Sequence, residues 1–191
     1  DVAPSRGLGD VYKRQILFIG FAGEEFGLLG AQAWVKAHKD KLPKIANLFN
    51  RDGGPEPPVG ISVPQAMYDD FVKISEPIQK IRPDYPFEVK VREPRKRPTR
   101  MGGTDASVFA IEGVPTLGFT TEDFKGYDFD YGEIWHTERD LYTKNIPEYQ
   151  EHTATVTAII ALGVANLDKQ LSREGLYLSL IHISEPTRRS Y

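Results

Sequence analysis

Three places in the chain carry side chains that can hold a metal ion or move a proton. Glu24 and Glu25 stand side by side after one apolar run, Asp52 follows a second, and His136 lies between Trp135 and Thr137 ahead of the last helical stretch. Carboxylates gathered in one crevice repel one another, and keeping them ionised together takes a cation or strong hydrogen bonds. A divalent metal meets that need. Neighbouring residues at a strand end point in different directions, so one glutamate can ligate the ion while the other faces its bound water, the division of labour that hydrolysis requires. Zinc takes nitrogen and oxygen ligands and in catalytic sites keeps three protein ligands plus water; His136 is the histidine best placed to complete such a set. His38 falls at a helix C-terminus, where positive charge suits the dipole, His152 in the first turns of the last helix, and His182 near the end of the chain. Taken singly, a Glu-Glu pair is an ordinary solvated pair, Asp52 an ordinary turn former and His136 an ordinary packed histidine. Their order along the chain is what carries the reading.

The elements that must position these groups follow from the hydrophobic pattern. Residues 16–22 form a continuous apolar run ended by Gly23, as in a strand buried on both faces of a parallel sheet. A helical rhythm runs from Leu28 to His38, with Pro43 beyond it, and residues 45–49 read as a second buried strand halting at Asn50-Arg51-Asp52-Gly53-Gly54. Ligands of open α/β sheets bind beyond the carboxyl ends of the strands, and a right-handed crossover would bring Glu24, Glu25 and Asp52 to one such edge. Residues 55–64, with four prolines, read as a loop leading to a helix over 65–81. Residues 87–91 alternate as a half-exposed strand, a short helix runs from about Asp105 to Gly113 with Thr104 or Asp105 as its cap, residues 114–119 return to strand, and residues 147–171 form a long helix with Val156, Ile159, Ile160, Leu162, Val164 and Leu167 on its core face. The alternation predicts one α/β domain, a three-layer sandwich with a mostly parallel mixed sheet.

Composition narrows the partners. The 191 residues are 40% hydrophobic and 27% charged, enough for one domain with its own core. With 24 Lys+Arg against 27 Asp+Glu, the net charge of −3 supplies no global cationic field for nucleic acid. The basic tract Arg92, Arg95, Lys96, Arg97 and Arg100 is broken by Pro94 and Pro98 and reads as a solvated loop. The lack of cysteine excludes disulfides, thiolate metal sites and a cysteine nucleophile. The longest apolar runs, 16–23 and 158–165, fall far short of the roughly 20 residues of a membrane span. Residues 124–135 hold five aromatics, Phe124, Tyr127, Phe129, Tyr131 and Trp135, which suit either a wall for an apolar substrate side chain or the packing of a loop.

Four ordered strings carry a family resemblance: Phe21-Ala22-Gly23-Glu24-Glu25-Phe26-Gly27-Leu28-Leu29-Gly30-Ala31, Asn50-Arg51-Asp52-Gly53-Gly54, Gly102-Gly103-Thr104-Asp105 and Trp135-His136-Thr137-Glu138-Arg139-Asp140. Together they resemble the zinc-dependent M28 peptidases, over nearly all of residues 16–171. The resemblance implies a zinc exopeptidase fold and hydrolysis of a terminal peptide bond, aminopeptidase-type, through metal-activated water. It implies Glu24 as general base, Glu25 and His136 as ligands of one zinc and Asp52 as ligand of a second, two ions per site in the complete protein, with other divalent ions as substitutes. Asp105 either orients a ligand or caps the helix that follows it, and Tyr131 and Trp135 either line the substrate pocket or pack their loop. The partner is a peptide substrate, with no nucleic acid; the oligomeric state is left open. Relatives are often exported, so a secreted, periplasmic or cell-envelope location is the expectation for the parent protein.

The departures shape further expectations. The family's His-x-Asp segment and metal-bridging aspartate precede the Glu-Glu pair, and neither occurs in residues 1–21. Residues 10–15 and 179–188 resemble translated sequencing-adapter sequence, which marks residues 1–15 and 179–191 as non-native tails around a catalytic portion at 16–178, incomplete at its N-terminus. This chain alone is therefore expected to bind metal weakly and to be inactive, and the complete protein to be active. Ala106 stands where many members have histidine after the aspartate of Gly102-Gly103-Thr104-Asp105. Two other functions compete: a glutaminyl cyclase-like acyltransferase using one zinc held by Asp, Glu and His, and a non-catalytic binding domain of related fold, as in the transferrin receptor. The second usually loses its base or ligands, whereas Glu24, Glu25, Asp52 and His136 are all present.

Overall fold

The computed structural model of the protein describes residues 14–178. Most of the expected tails, and His182 with them, lie outside the described residues. In chain order the elements are α1 (Leu29–Ala37), β1 (Pro58–Val63), α2 (Tyr68–Ile81), β2 (Glu88–Val91), α3 (Ala106–Ile111), β3 (Phe119–Thr121), α4 (Tyr131–Ile134) and α5 (Pro147–Asn166), with short 3-10 turns at Leu42–Lys44, Gln65–Met67 and Tyr142–Lys144. The strands make a small open mixed sheet in the order β2-β1-β3. β1 runs parallel to β2, Gly60 opposite Glu88 and Val63 opposite Val91, and antiparallel to β3, Ile61 opposite Phe119. A Cβ on Gly60 would stand 2.5 Å from the Glu88 carbonyl oxygen, so only glycine lets these two backbones meet.

Helices α2 and α5 pack against each other and onto this sheet. Phe71, Ile74 and Ile78 of α2 recur at helical spacing, as do Val156, Ile160 and Val164 of α5, and all six are buried in one cluster with Ile61 and Val63. The approach is close at Gly163, where a Cβ would fall 2.3 Å from Ile74 Cγ2. A second cluster joins Leu28, Ala31 and Val35 to Val108, Phe109 and Val114, holding α1 against α3 with Ile45 and Leu48 alongside. Among the described residues no helix is long and apolar enough to cross a membrane.

The α/β class and most helices follow the sequence pattern, and several strands do not. Residues 16–22 belong to no strand, and Leu17 and Phe18 are 56% and 94% exposed rather than buried on two faces. Apolar character dictates burial only where a partner strand exists to close the ladder, and none lies beside this run among the described residues. Residues 45–49 are likewise no strand: the Asn47 amide exchanges two hydrogen bonds with the Leu117 backbone at 2.9 and 3.2 Å, and the Leu48 amide donates to the Pro115 carbonyl. Pro115 has no N–H to return the bond, which stops a ladder there and leaves β3 to start at Phe119 instead of 114. The supposed loop 55–64 contains the central strand β1. Proline is tolerated at its first position, Pro58, beside a register irregularity between Pro58 and Gly60. Helix α5 stops at Asn166, not 171, because Leu167 turns extended (φ −58°, ψ 145°), which lets Leu171 reach the same core. Leu162 is 43% exposed and leaves the expected core face.

Candidate functional site

Glu24 and Glu25 sit on the turn that launches α1. Gly23 adopts φ 70°, a conformation costly for other residues. The Glu24 carbonyl then accepts from the Gly27 and Leu28 amides at 3.0 and 2.8 Å, while the carbonyls of Gly23 and Ala22 accept from Leu29 and Gly30. These bonds satisfy the first amides of the helix, which have no partner within it, and lock the turn. The pair is thus held without a strand beneath it.

Asp52 comes from the loop after the extended residues 45–49. It lines a cavity of about 400 Å³ together with Asn50, Arg51, Thr104, Leu117 and Tyr131. Asp105 precedes α3 but does not cap it; its backbone is already helical and its side chain bonds no helix amide. The residue is 8% exposed, and its Oδ1 is buried without a hydrogen-bond partner. Burial first, then the charge of Asp52, pushes the Asp105 carboxyl above its ordinary value. Capping is therefore replaced by an acid turned toward the other acids.

His136 lies just after α4, whose first turn is capped by Asp130 Oδ1 accepting from the Gly132 amide at 2.8 Å. Its backbone takes φ 55°, a left-handed conformation in which histidine is found more often than most residues. The ring faces Glu25, with Nε2 3.2 Å from Oε1 and 3.1 Å from Oε2. Trp135 lies beside it, ring centres 4.6 Å apart, and is 57% exposed; Tyr131 stacks on Trp135 at 6.5 Å. Of the two aromatics singled out, Tyr131 lines the cavity while Trp135 flanks the imidazole. The rest of the aromatic segment is tied down. Asp123 accepts from the Tyr127 and Phe129 amides and from the Tyr149 hydroxyl, and Glu148 of α5 pairs with Lys125 and with the Tyr127 hydroxyl. Phe129 and Tyr131 close over Gly54, where a Cβ would stand 2.5 Å from Phe129.

The other two histidines among the described residues bond backbone carbonyls. His38 Nδ1 meets the Trp34 carbonyl at 2.9 Å at the end of α1, and buried His152 stacks on Tyr85 with Nε2 3.0 Å from the Pro58 carbonyl oxygen. The basic tract is engaged locally: Arg97 donates to the Ile111 carbonyl and Arg95 to Thr116 Oγ1.

Glu24, Glu25, Asp52, Asp105 and His136 form one electrostatic cluster. Burial, then Asp52, Glu25 and Asp105 in that order, push the Glu24 carboxyl above its ordinary value, and His136 works against them. Two ligands of one tetrahedral zinc with bonds near 2.0–2.1 Å stand roughly 3.3 Å apart, close to the Glu25–His136 separation, and imidazole plus carboxylate is a donor set that zinc accepts. The pair fits the ion. No group of three such donors is closed around a single point among the described residues, and Asp52 stays outside the pair's immediate contact. Sequence reasoning passed over Arg51, which lines the cavity with Asp52; its signal was a cation directly before a proposed ligand.

Residues 5–160 match the model of peptidase family M28. The chain belongs to this family. Carboxypeptidase Q of mouse is 23% identical over 166 residues, 84% of this chain and 31% of that protein, and the rat protein is 22% identical over the same shares. The solved peptidase M28 precursor of Shewanella amazonensis superposes with a TM-score of 0.58 at 24% identity, covering 80% of this chain and 31% of that one. That likeness shows the M28 peptidase fold. The chain spans about a third of the length of these relatives.

Proposed function

We propose that this M28 chain supplies the metal-holding and proton-transferring half of a zinc-dependent exopeptidase acting on peptides. The observation that carries the reading is the meeting of His136 with Glu25, 111 residues apart, beside a second glutamate whose carboxyl is held above its ordinary value. Glu25 and His136 would hold one ion and Asp52 a second. When bound, zinc supplies a Lewis acid that polarises the scissile carbonyl and acidifies its water. Glu24, next to the ligand but not one itself, takes the proton from the attacking water and returns it to the leaving amine. Tyr131 walls the cavity that receives the substrate residue.

The direction of attack proposed from the family resemblance is aminopeptidase-type, and the hydrolysis is assigned to the complete protein. The same ligand types, Asp, Glu and His, serve a single-zinc cyclase, and the ligand segment upstream of Glu24 discriminates between the two readings. Calorimetric zinc titration of the full chain tests the assignment. Glu25→Ala and His136→Ala are expected to weaken zinc binding at least tenfold, while Glu24→Gln binds as the unmodified chain does. Unchanged affinity in both ligand variants removes the proposal. Peptide hydrolysis by this chain with stoichiometric zinc would contradict the expectation of an inactive piece.

A further inference from the structure

Arg51 brings the one positive charge to the cavity beside Asp52; every other lining side chain is neutral or acidic. Its guanidinium is fixed along one edge only. Nη2 donates to the carbonyls of Gly54 and Glu56, the latter at 2.7 Å, which bends the loop after Asp52 back over the arginine. Arg51 forms no ion pair among the described residues. The nearest acid that influences it, Glu56, is occupied elsewhere, accepting from the Thr121 hydroxyl at 3.1 Å. Burial outweighs Glu56 and pushes the Arg51 pKa below its ordinary value, yet a guanidinium stays charged at any physiological pH. An oriented cation at the solvent-exposed rim of a cavity, with donors left over, can recognise a carboxylate by two parallel bonds. The cavity, about 400 Å³, lies at the small end of the range for ligand sites, the scale of one or two residues.

We propose that Arg51 is a specificity residue that binds a carboxylate of the peptide substrate, placed within about one residue of the bond to be cut. This rests on the exopeptidase reading and sharpens it. The carboxylate has two sources, the free C-terminus of a short peptide or an acidic side chain. In either case the acids of the site, which attract a cationic amine, and Arg51, which attracts an anion, orient the substrate by its charge. The bonds to Gly54 and Glu56 make the arginine a loop anchor as well, so the decisive measurement is a ratio between charged and neutral ligands.

The test measures binding by NMR titration of the full chain, with and without zinc. Leu-Leu is set against Leu-Leu-amide, and Leu-Glu-amide against Leu-Gln-amide. One charged member is expected to bind at least fivefold tighter than its neutral counterpart, and which pair does so names the source. Arg51→Gln should bring that ratio to about one, a loss of roughly fivefold or more for the charged ligand alone. Arg51→Lys, which keeps the charge without the fork, should leave an intermediate ratio. A purely structural arginine would weaken both members equally and leave the ratio intact, and that result overturns the proposal, as does equal or undetectable binding of all four ligands to the unmodified chain. If Arg51→Gln does not fold, an unchanged ratio in Arg51→Lys is the overturning result. Zinc titration runs in parallel. Zinc bound through Glu25 and His136 without carboxylate preference sinks the Arg51 role and spares the metal site; carboxylate preference without zinc binding does the reverse.

Discussion

The sheet with α2 and α5, and the α1–α3 region with the acids, are held together in different ways. In the first, buried side chains come from two long helices and a strand whose backbone is paired on both sides. In the second they come from short helices and irregular chain tied by turn bonds and by the Asn47 amide, next to Leu17 and Phe18, which face outward. Buried side chains concentrate where ladders and helical faces coincide, and the candidate site lies where they do not. Functional segments commonly come from the less stable parts of a fold, and the comparison locates that boundary between Phe49 and β1.

The comparison is broken most sharply in the first region. Phe71 is fully buried between α2, α5 and the sheet. Phe71→Ala is expected to cost about 3–5 kcal/mol, a large part of the roughly 5–15 kcal/mol of an ordinary domain. Phe26→Ala, at a residue 84% exposed beside Glu25, should change stability by no more than about 0.5 kcal/mol. Urea unfolding of both variants measures the contrast. Equal losses would mean that the two regions share one core.

A smaller effect is expected at the bridge between the regions. Glu148 of α5 pairs with Lys125 and the Tyr127 hydroxyl in the aromatic segment, and these bonds hold its carboxyl down to about 2 from an ordinary 4.5. A depressed carboxylate stabilises the fold fully above its unfolded value and loses that contribution as pH falls from about 4.5 to about 2. Lys125 is raised and stays charged throughout. Melting temperature followed from pH 7 to pH 2 should therefore drop more steeply below 4.5 in the unmodified chain than in Glu148→Gln, which begins lower and lacks that step. Parallel curves would show that the bridge contributes nothing.

The same division explains what was legible in the sequence. Helical faces were readable because a 3.6-residue rhythm encodes a face whatever it packs on, so α1, α2 and α3 appear where expected. The strands were less so. Residues 16–22 and 45–49 have strand composition, but a strand is a relation between two segments, and the bonding partner is not written in either one. β1 was hidden by Pro57, Pro58 and Pro64, which read as loop although they only frame the alternation of Val59, Ile61 and Val63. At the site, the meeting of His136 with Glu25 was implied by the family resemblance that the ordered strings carry. Asp105 as an uncapped, unpartnered buried acid did not, since its place before a helix is what a capping aspartate also shows.

The smallest effect is expected at the outward-facing run. Phe18 is 94% exposed and Leu17 56%, with no strand beside them among the described residues. A side chain already in water loses no burial when replaced, so Phe18→Ser should leave unfolding within about 0.5 kcal/mol of the unmodified chain. Contiguous exposed apolar surface nevertheless favours association. Sedimentation at rising concentration should therefore show less self-association in Phe18→Ser, with Tm unchanged. A loss of more than about 1 kcal/mol would instead mean that residues 16–22 are packed in solution as residues 58–63 are, and the line between the two regions would have to be redrawn upstream of Gly23.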